Sequence, residues 1–290
     1  MNARFFKLPV ILVALLSCGF VVGCGKGDQG INVEGSDTMV NVAQAWAEEY
    51  RKERPEVDVR VSGGGSGQGI ANLINGVVSM ANASRKMKPE EMELAEKSTG
   101  KKAVEFVVGQ DALAVYVHKD NPLDSISLEE LAEIYGEGGT ITKWSQLDVE
   151  NVGCDNGEIV RVSRQSNSGT RHYFSHAVLG DDRQLKLGSN DQSGSKDVVD
   201  LISRTPCAIG YSGMGYATEG VKMLKIATKK GDEPVEPSVE NTISGAYPIA
   251  RPLLIYTMGE PTGQVKHYID WILSEAGQKI VADKGYVAIQ

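Results

Sequence analysis

Apolar positions change period several times along this chain, and each change marks an element. Met39, Val42, Ala43, Trp46, Ala47 and Tyr50 recur every three to four residues, which predicts a helix with one buried face, closed by Pro55. Ile31–Glu34 before it and the alternating Val57–Val61 after it read as strands. A second short helix is predicted over 68–75, capped by Gly76, directly after the glycine-rich run Ser62–Gly67. Residues 77–83 give another strand, and Pro89 opens a helix with Glu90 and Glu91 in its first turn. Two strand-like runs, 103–108 and 112–117, are parted by Gly109, Gln110 and Asp111, a break that suits a crossing between domains. Ser127 and Glu130 form a capping box for a helix reaching Tyr135, and Trp144 reads as packing. Further strands are expected at 159–163, 208–211 and 223–227, with a helix over 196–204. The charged, proline-bearing stretch 229–240 is a surface loop. A proline-interrupted strand over 247–256 makes a return crossing, helices at 262–273 and 275–283 follow, and 286–289 is a last strand. Strands and helices alternating in this way indicate an α/β fold.

The N-terminus breaks the pattern. Arg4 and Lys7 precede an uncharged run of sixteen residues, Leu8–Gly23, shorter than the ~20 that a spanning helix needs, so residues 1–23 read as a signal peptide. Val21, Val22, Gly23 and Cys24 resemble a bacterial lipobox, with Cys24 as the lipid-carrying first residue of the mature chain. Cleavage at Cys18 instead would leave Phe20, Val21 and Val22 exposed. Residues 24–30 then form a flexible tether, and a diacylated cysteine would hold an exported domain at the periplasmic or outer face of a membrane without a spanning helix.

Length allows two domains: the chain has 290 residues. Losing Arg4 and Lys7 with residues 1–23 takes the formal net charge from −8 to −10. An acidic domain without a basic stripe argues against nucleic acid, and it requires any small anion to be held by local geometry. Cys154 and Cys207 each precede a strand-like run and make a candidate disulfide in an oxidising compartment. No Cys/His spacing suggests a metal, and no cofactor is expected.

Chemistry concentrates in three Gly/Ser/Thr turns, at Gly35–Thr38, Ser62–Gly67 and Arg164–Thr170, each following a strand and opening a helix. A helix start offers unpaired N–H groups and partial positive charge to an oxyanion, and a guanidinium can reach two of its oxygens at once. The plainer reading is that Ser168 or Thr170 only caps its helix. Gln68 spoils a G-x-S-x-G nucleophile elbow at Ser66, and neither a phosphate-loop lysine motif nor a G-x-G-x-x-G helix start is present. His172 and His176 stand at i and i+4, but no carboxylate cluster accompanies them.

Seven motifs occur in order: Gly-Ser-Asp-Thr at 35–38, Gly-Gly-Gly-Ser-Gly at 63–67, Ser84-Arg85, Gln-Asp-Ala-Leu-Ala-Val from Gln110, Arg-x-x-x-Ser-Gly-Thr at 164–170, Ala-Ile-Gly-Tyr at 208–211, and Tyr-Pro-x-x-Arg-Pro-Leu at 247–253. Together they resemble the PstS family, the phosphate-binding proteins of bacterial phosphate ABC transporters, over essentially the whole mature chain. The resemblance implies a type II periplasmic-binding-protein fold, two α/β lobes joined by two crossing strands with phosphate in the cleft. Lobe one is expected at 31–110 plus 250–290 and lobe two at 111–249. Carried over by motif, Ser36, Thr38 and Ser66 donate to phosphate from lobe one, and Arg164, Ser168, Gly169 and Thr170 clamp it from lobe two. The same resemblance implies transporter permease subunits as partners and a monomeric chain.

One position departs from the family. Some members carry an acid where this chain has Arg85; that carboxylate accepts the proton of hydrogen phosphate and repels sulfate, which has none to give. Asp111, beside the predicted crossing, is the preferred substitute, with Asp37 the other. Arg85 itself could reach the anion or pair with a neighbouring glutamate. Rival readings are the same fold holding sulfate, molybdate or tungstate, an exported phosphate-ester hydrolase using Ser66 or Ser168 as nucleophile, or a surface scaffold. The hydrolase would need a base and usually a metal.

Overall fold

The computed structural model describes residues 30–150, 152–154 and 156–289. The expected signal peptide, Cys24 and the tether up to residue 29 lie outside the described residues. Among those described, no helix is long and apolar enough to cross a membrane.

The first unit runs β1 (Ile31–Gly35), α1 (Val40–Glu53), β2 (Val59–Gly64), α2 (Ser66–Ile74), β3 (Met80–Ala83) and α3 (Pro89–Thr99). The long strand β4 (Ala103–His118) leads into β5 (Ser125–Ser127) and α4 (Leu128–Tyr135). Then come β6 (Val160–Arg164), α5 (Gly169–Leu179), β7 (Asn190–Gln192), α6 (Ser195–Ile202) and β8 (Ala208–Gly213). The short β9 (Val221–Met223), β10 (Lys225–Ala227) and α7 (Val239–Ile243) precede the return strand β11 (Ala250–Met258), and α8 (Gly263–Ile272) and α9 (Glu275–Asp283) follow. Hydrogen bonds order the main sheet β2-β1-β3-β11-β4-β8-β6-β7, with β9 also on β4.

Two strands serve both halves of that sheet. β4 pairs antiparallel with β11 from Ala103 to Ala112 and with β8 from Leu113 to Val117. The expected interruption at Gly109–Asp111 is absent, because the Gln110 N–H and C=O pair with Val287, at 2.8 and 2.9 Å, and keep the backbone extended. The irregularity is instead a bulge one residue earlier on β4, where Leu253 faces Gly109 and Leu254 faces Val107, so that Val108 is left out of the pairing. That same Gln110–Val287 bridge is all that remains of the expected strand at 286–289. The expected strand at 223–227 is two short ones, since Leu224 turns its amide to Val115 at 2.9 Å between them.

The apolar pattern behaves as its periodicity demands. Every member of the Met39–Tyr50 stripe is buried, and the Trp46 indole N–H donates to the Gly277 carbonyl at 2.8 Å, tying α1 to α9. Ser127 and Glu130 form the capping box, and Trp144 is packed into a core. One pair of cores holds Val33, Trp46, Val108, Leu253 and Tyr286 with Ile70, Ala81 and Tyr256. Another pair holds Leu113, Ile134, Phe174 and Ile249 with Ala114, Val162 and Ile202. At roughly 1.5–3 kcal/mol per large apolar side chain buried, each half carries its own driving force. Cys154 and Cys207 are half-buried against one core, but no disulfide joins them. Sharing a core is a weaker condition than the Cα separation and torsion that a bridge demands.

Candidate functional site

Parallel strands release their turns at one edge of a sheet. In lobe one, β1, β2 and β3 run parallel and present Ser36–Thr38, Ser66 and Ser84. In lobe two, β6 and β7 present Arg164–Thr170 and Ser195. The two edges face one another, and Ser36, Thr38, Ser66, Ser84, Arg164, Ser168, Thr170 and Ser195 are all buried where they meet.

Packing fixes each group in place. The Tyr286 hydroxyl donates to the Thr38 carbonyl at 2.6 Å, so the C-terminal segment holds the turn after β1. On the other side Phe174 of α5 stacks on Tyr211 of β8 with ring centroids 3.8 Å apart, and both meet Tyr135 edge-on. The two edge-on pairs each add about 0.5–1.5 kcal/mol to simple burial, and through Phe174 the trio anchors α5 in the core.

Across the interface, Thr38 Oγ1 lies 2.7 Å from Thr170 Oγ1 and 3.4 Å from Ser195 Oγ. Ser36 Oγ donates to Ser84 Oγ at 2.9 Å, and Ser66 Oγ accepts the Ser84 amide at 3.1 Å. Gly169 abuts this pair, since a Cβ there would come within 2.2 Å of Ser66 Oγ. The amides of Ser66, Gly169 and Thr170 belong to the first turns of α2 and α5, where a helix has no carbonyl of its own to offer.

Two buried guanidiniums border these hydroxyls, each balanced by a carboxylate. Arg164 donates to Ser195 Oγ, Asp37 Oδ2 and the Ser193 carbonyl at 2.8–2.9 Å, and its Nε is buried with no hydrogen-bond partner among the described residues. Burial pulls the Arg164 pKa down and Asp37 opposes that pull; a guanidinium stays charged. Arg251 gives Asp111 Oδ2 two bonds, at 3.0 and 2.8 Å, and reaches Thr38 Oγ1 and Thr170 Oγ1 at 3.3 and 3.1 Å. Burial pushes the Asp111 carboxyl above its ordinary range while Arg251 draws it back.

Of the sequence candidates, Ser36, Thr38, Ser66, Arg164, Gly169 and Thr170 come together. Ser168 is buried beside them, but its hydroxyl caps α5 by accepting the Arg171 amide at 3.3 Å. Arg85 turns away into a bidentate pair with Glu91, at 2.8 and 2.7 Å. Asp37 and Asp111 are both ion-paired rather than free. His172 and His176 do not act together: His176 pairs with Asp181, while burial and then Arg85 and Lys88 push the His172 pKa down. Ser66 and Ser168 have hydrogen-bond partners among the described residues in Ser84 and Arg171 respectively, neither of which is a base suited to activating a nucleophile. Sequence reasoning assigned no role to Ser84, Ser195 or Arg251. Ser84 and Arg251 sat inside recognised motifs, and Ser193-Gly-Ser195 before a helix carries the same signal as the other turns.

Comparison with known proteins identifies the family. Residues 23–276 match the PBP superfamily domain. The phosphate-binding protein PstS of Pseudomonas aeruginosa is 33% identical over 267 residues, covering 88% of this chain and 81% of the relative. PstS of Bacillus subtilis is likewise 33% identical over 269 residues, covering 91% and 82%. A candidate phosphate ABC transporter substrate-binding protein from Clostridium perfringens, solved with phosphate bound, superposes with a TM-score of 0.80 at 31% identity, covering 90% of this chain and all of that one. The chain therefore belongs to the PstS family of the PBP superfamily, a family of binding proteins rather than enzymes.

Proposed function

We propose that this protein captures inorganic phosphate between its lobes and delivers it to the permease subunits of a phosphate ABC transporter. The observation that carries this reading is the convergence, from both lobes, of helix starts, hydroxyls and the Arg164 guanidinium on one buried point. Ser36, Thr38 and Ser66 donate from lobe one, and Arg164, Ser168, Gly169 and Thr170 from lobe two. A buried unsatisfied donor costs about 1–3 kcal/mol, so the Arg164 Nε favours an arriving oxyanion. Because Arg164 is balanced by Asp37 and Arg251 by Asp111, the frame is close to neutral and holds the anion with directed donors. That suits a strongly acidic chain. Donors supplied by both lobes make closure depend on the ligand.

Hydrogen phosphate brings a proton that sulfate lacks and needs an acceptor for it. A carboxylate offers about four acceptor positions. Asp111 gives two to Arg251 and one to the Met214 amide, whereas Asp37 gives one to Arg164 and one to the Gly64 amide. The acceptor role therefore falls to Asp37, with Asp111 as counter-ion to Arg251. Calorimetric titration of the wild type and Asp37→Asn with phosphate, arsenate and sulfate tests both points. The wild type is expected to take phosphate and refuse sulfate, and Asp37→Asn to narrow that gap; an unchanged gap removes Asp37 from the role. Preference for sulfate, molybdate or tungstate in the wild type would replace the phosphate reading.

The same proposal includes lobe boundaries at 31–110 plus 250–290 and at 111–249, supported by cores that part between Val108 and Ala112 and between Ile249 and Leu253. It also includes export as a monomer anchored through a lipid on Cys24, supported by the pattern of residues 1–24. Cys24→Ser is expected to move the protein from the membrane fraction into the soluble one.

A further inference from the structure

Between Arg164 and the start of α5 lies a contact that the anion ring does not use. Asn167 Nδ2 donates to the Gly64 carbonyl at 2.7 Å, and the Asn167 carbonyl accepts the Gly67 amide at 3.0 Å. One lobe-two residue thus holds both ends of the turn that opens α2 in lobe one. The turn is shaped to admit it. Gly65 has φ +87°, open to glycine and strained for other residues, and a Cβ there would come within 2.7 Å of the Asn167 carbonyl oxygen.

We propose that Asn167 is the closure latch, a positioning residue that sets how long the closed form lives without choosing the anion. The inference rests on the phosphate-capture reading. Thr38–Thr170 and Arg164–Asp37 also cross between the lobes, but those groups serve the ring, so their worth changes when an anion arrives. The Asn167 contacts involve no ring donor. Ser168, Gly169 and Thr170 follow it directly, so seating Asn167 on Gly64–Gly67 brings the start of α5 up to the start of α2. A bond made only in the closed form biases the closed–open equilibrium by its own free energy. It slows opening and leaves the encounter with the open form alone, so its effect falls on dissociation.

The test compares wild type, Asn167→Ala and Asn167→Asp by stopped-flow binding of phosphate, by titration with phosphate, arsenate and sulfate, and by amide exchange at Gly67 with and without phosphate. Asn167→Asp keeps the shape but replaces the Nδ2 donor with an acceptor facing the Gly64 carbonyl. Both variants are expected to release phosphate about two- to tenfold faster, the worth of one neutral hydrogen bond, with association within about twofold of wild type. Anion preference should be unchanged, and Gly67 should exchange faster. Unchanged release together with unchanged Gly67 exchange overturns the latch, as does a shift in anion preference, which would put Asn167 in the ring. If the wild type binds no phosphate, the functional reading fails, while Gly67 exchange in anion-free protein still judges the latch.

Discussion

Arg164 and Arg251 are both buried, and each is held by a carboxylate from a distant part of the chain. Arg164 stands four residues before Ser168 in a strand–turn–helix segment, so its neighbours disclose its use. Arg251 depends on Asp111, 140 residues away, and no local pattern could show that pairing. Arg164→Lys keeps the charge but loses the fork, and phosphate affinity is expected to fall roughly tenfold to a hundredfold by calorimetry. Asp111→Asn leaves Arg251 buried and uncompensated, which should cost about 3–5 kcal/mol in urea unfolding. The double variant Asp111→Leu with Arg251→Met should recover most of that loss, because it removes both charges; no recovery would show that the pair does more than balance itself.

At the scale of elements, the start of α5 sets a conflict between helix stability and closure. Gly169→Ala suits a helical position by about 0.5–1 kcal/mol, so the anion-free protein should melt no lower than wild type. The added Cβ would meet Ser66 Oγ within 2.2 Å, so phosphate affinity should nevertheless drop at least about tenfold. The start of α3 predicts a pH effect. Burial raises the Glu91 pKa, but bonds from Arg85 and the Lys88 amide more than reverse this, and its folded value lies below the usual one. Its stabilisation is therefore complete above the ordinary carboxylate range and is lost as pH falls through the folded value. Glu91→Gln should cost about 1–2 kcal/mol at pH 7, a deficit that closes below about pH 4 in parallel unfolding series. The helix stripe of α1 and the capping box of α4 were legible because their partners lie within a few residues. The continuity of β4 was not, since Val287, from the far end of the chain, keeps Gln110 extended.

For the whole molecule, β4 and β11 are the shared spine on which two separate sets of cores are hung. Ligand that binds only the folded, closed form must stabilise the whole chain. Phosphate at a hundred times its Kd should add about 2.7 kcal/mol to unfolding, and sulfate at the same concentration should add nothing measurable. Equal stabilisation by both anions would mean that the site reads tetrahedral charge and not the proton.

Local order alone determined that strands alternate with helices, that Gly/Ser/Thr turns open three of those helices, and that Arg164, Ser66 and Thr38 lie on such turns. Periodicity, capping and turn chemistry act over a few residues, so they survive in a linear reading. Tertiary structure decided which carboxylate balances which guanidinium, that Arg85 serves Glu91, that Ser84 and Ser195 join the hydroxyl cluster, and that Asn167 spans the lobes. Those outcomes depend on distances between segments as far as 157 residues apart, which only the packed tertiary structure sets.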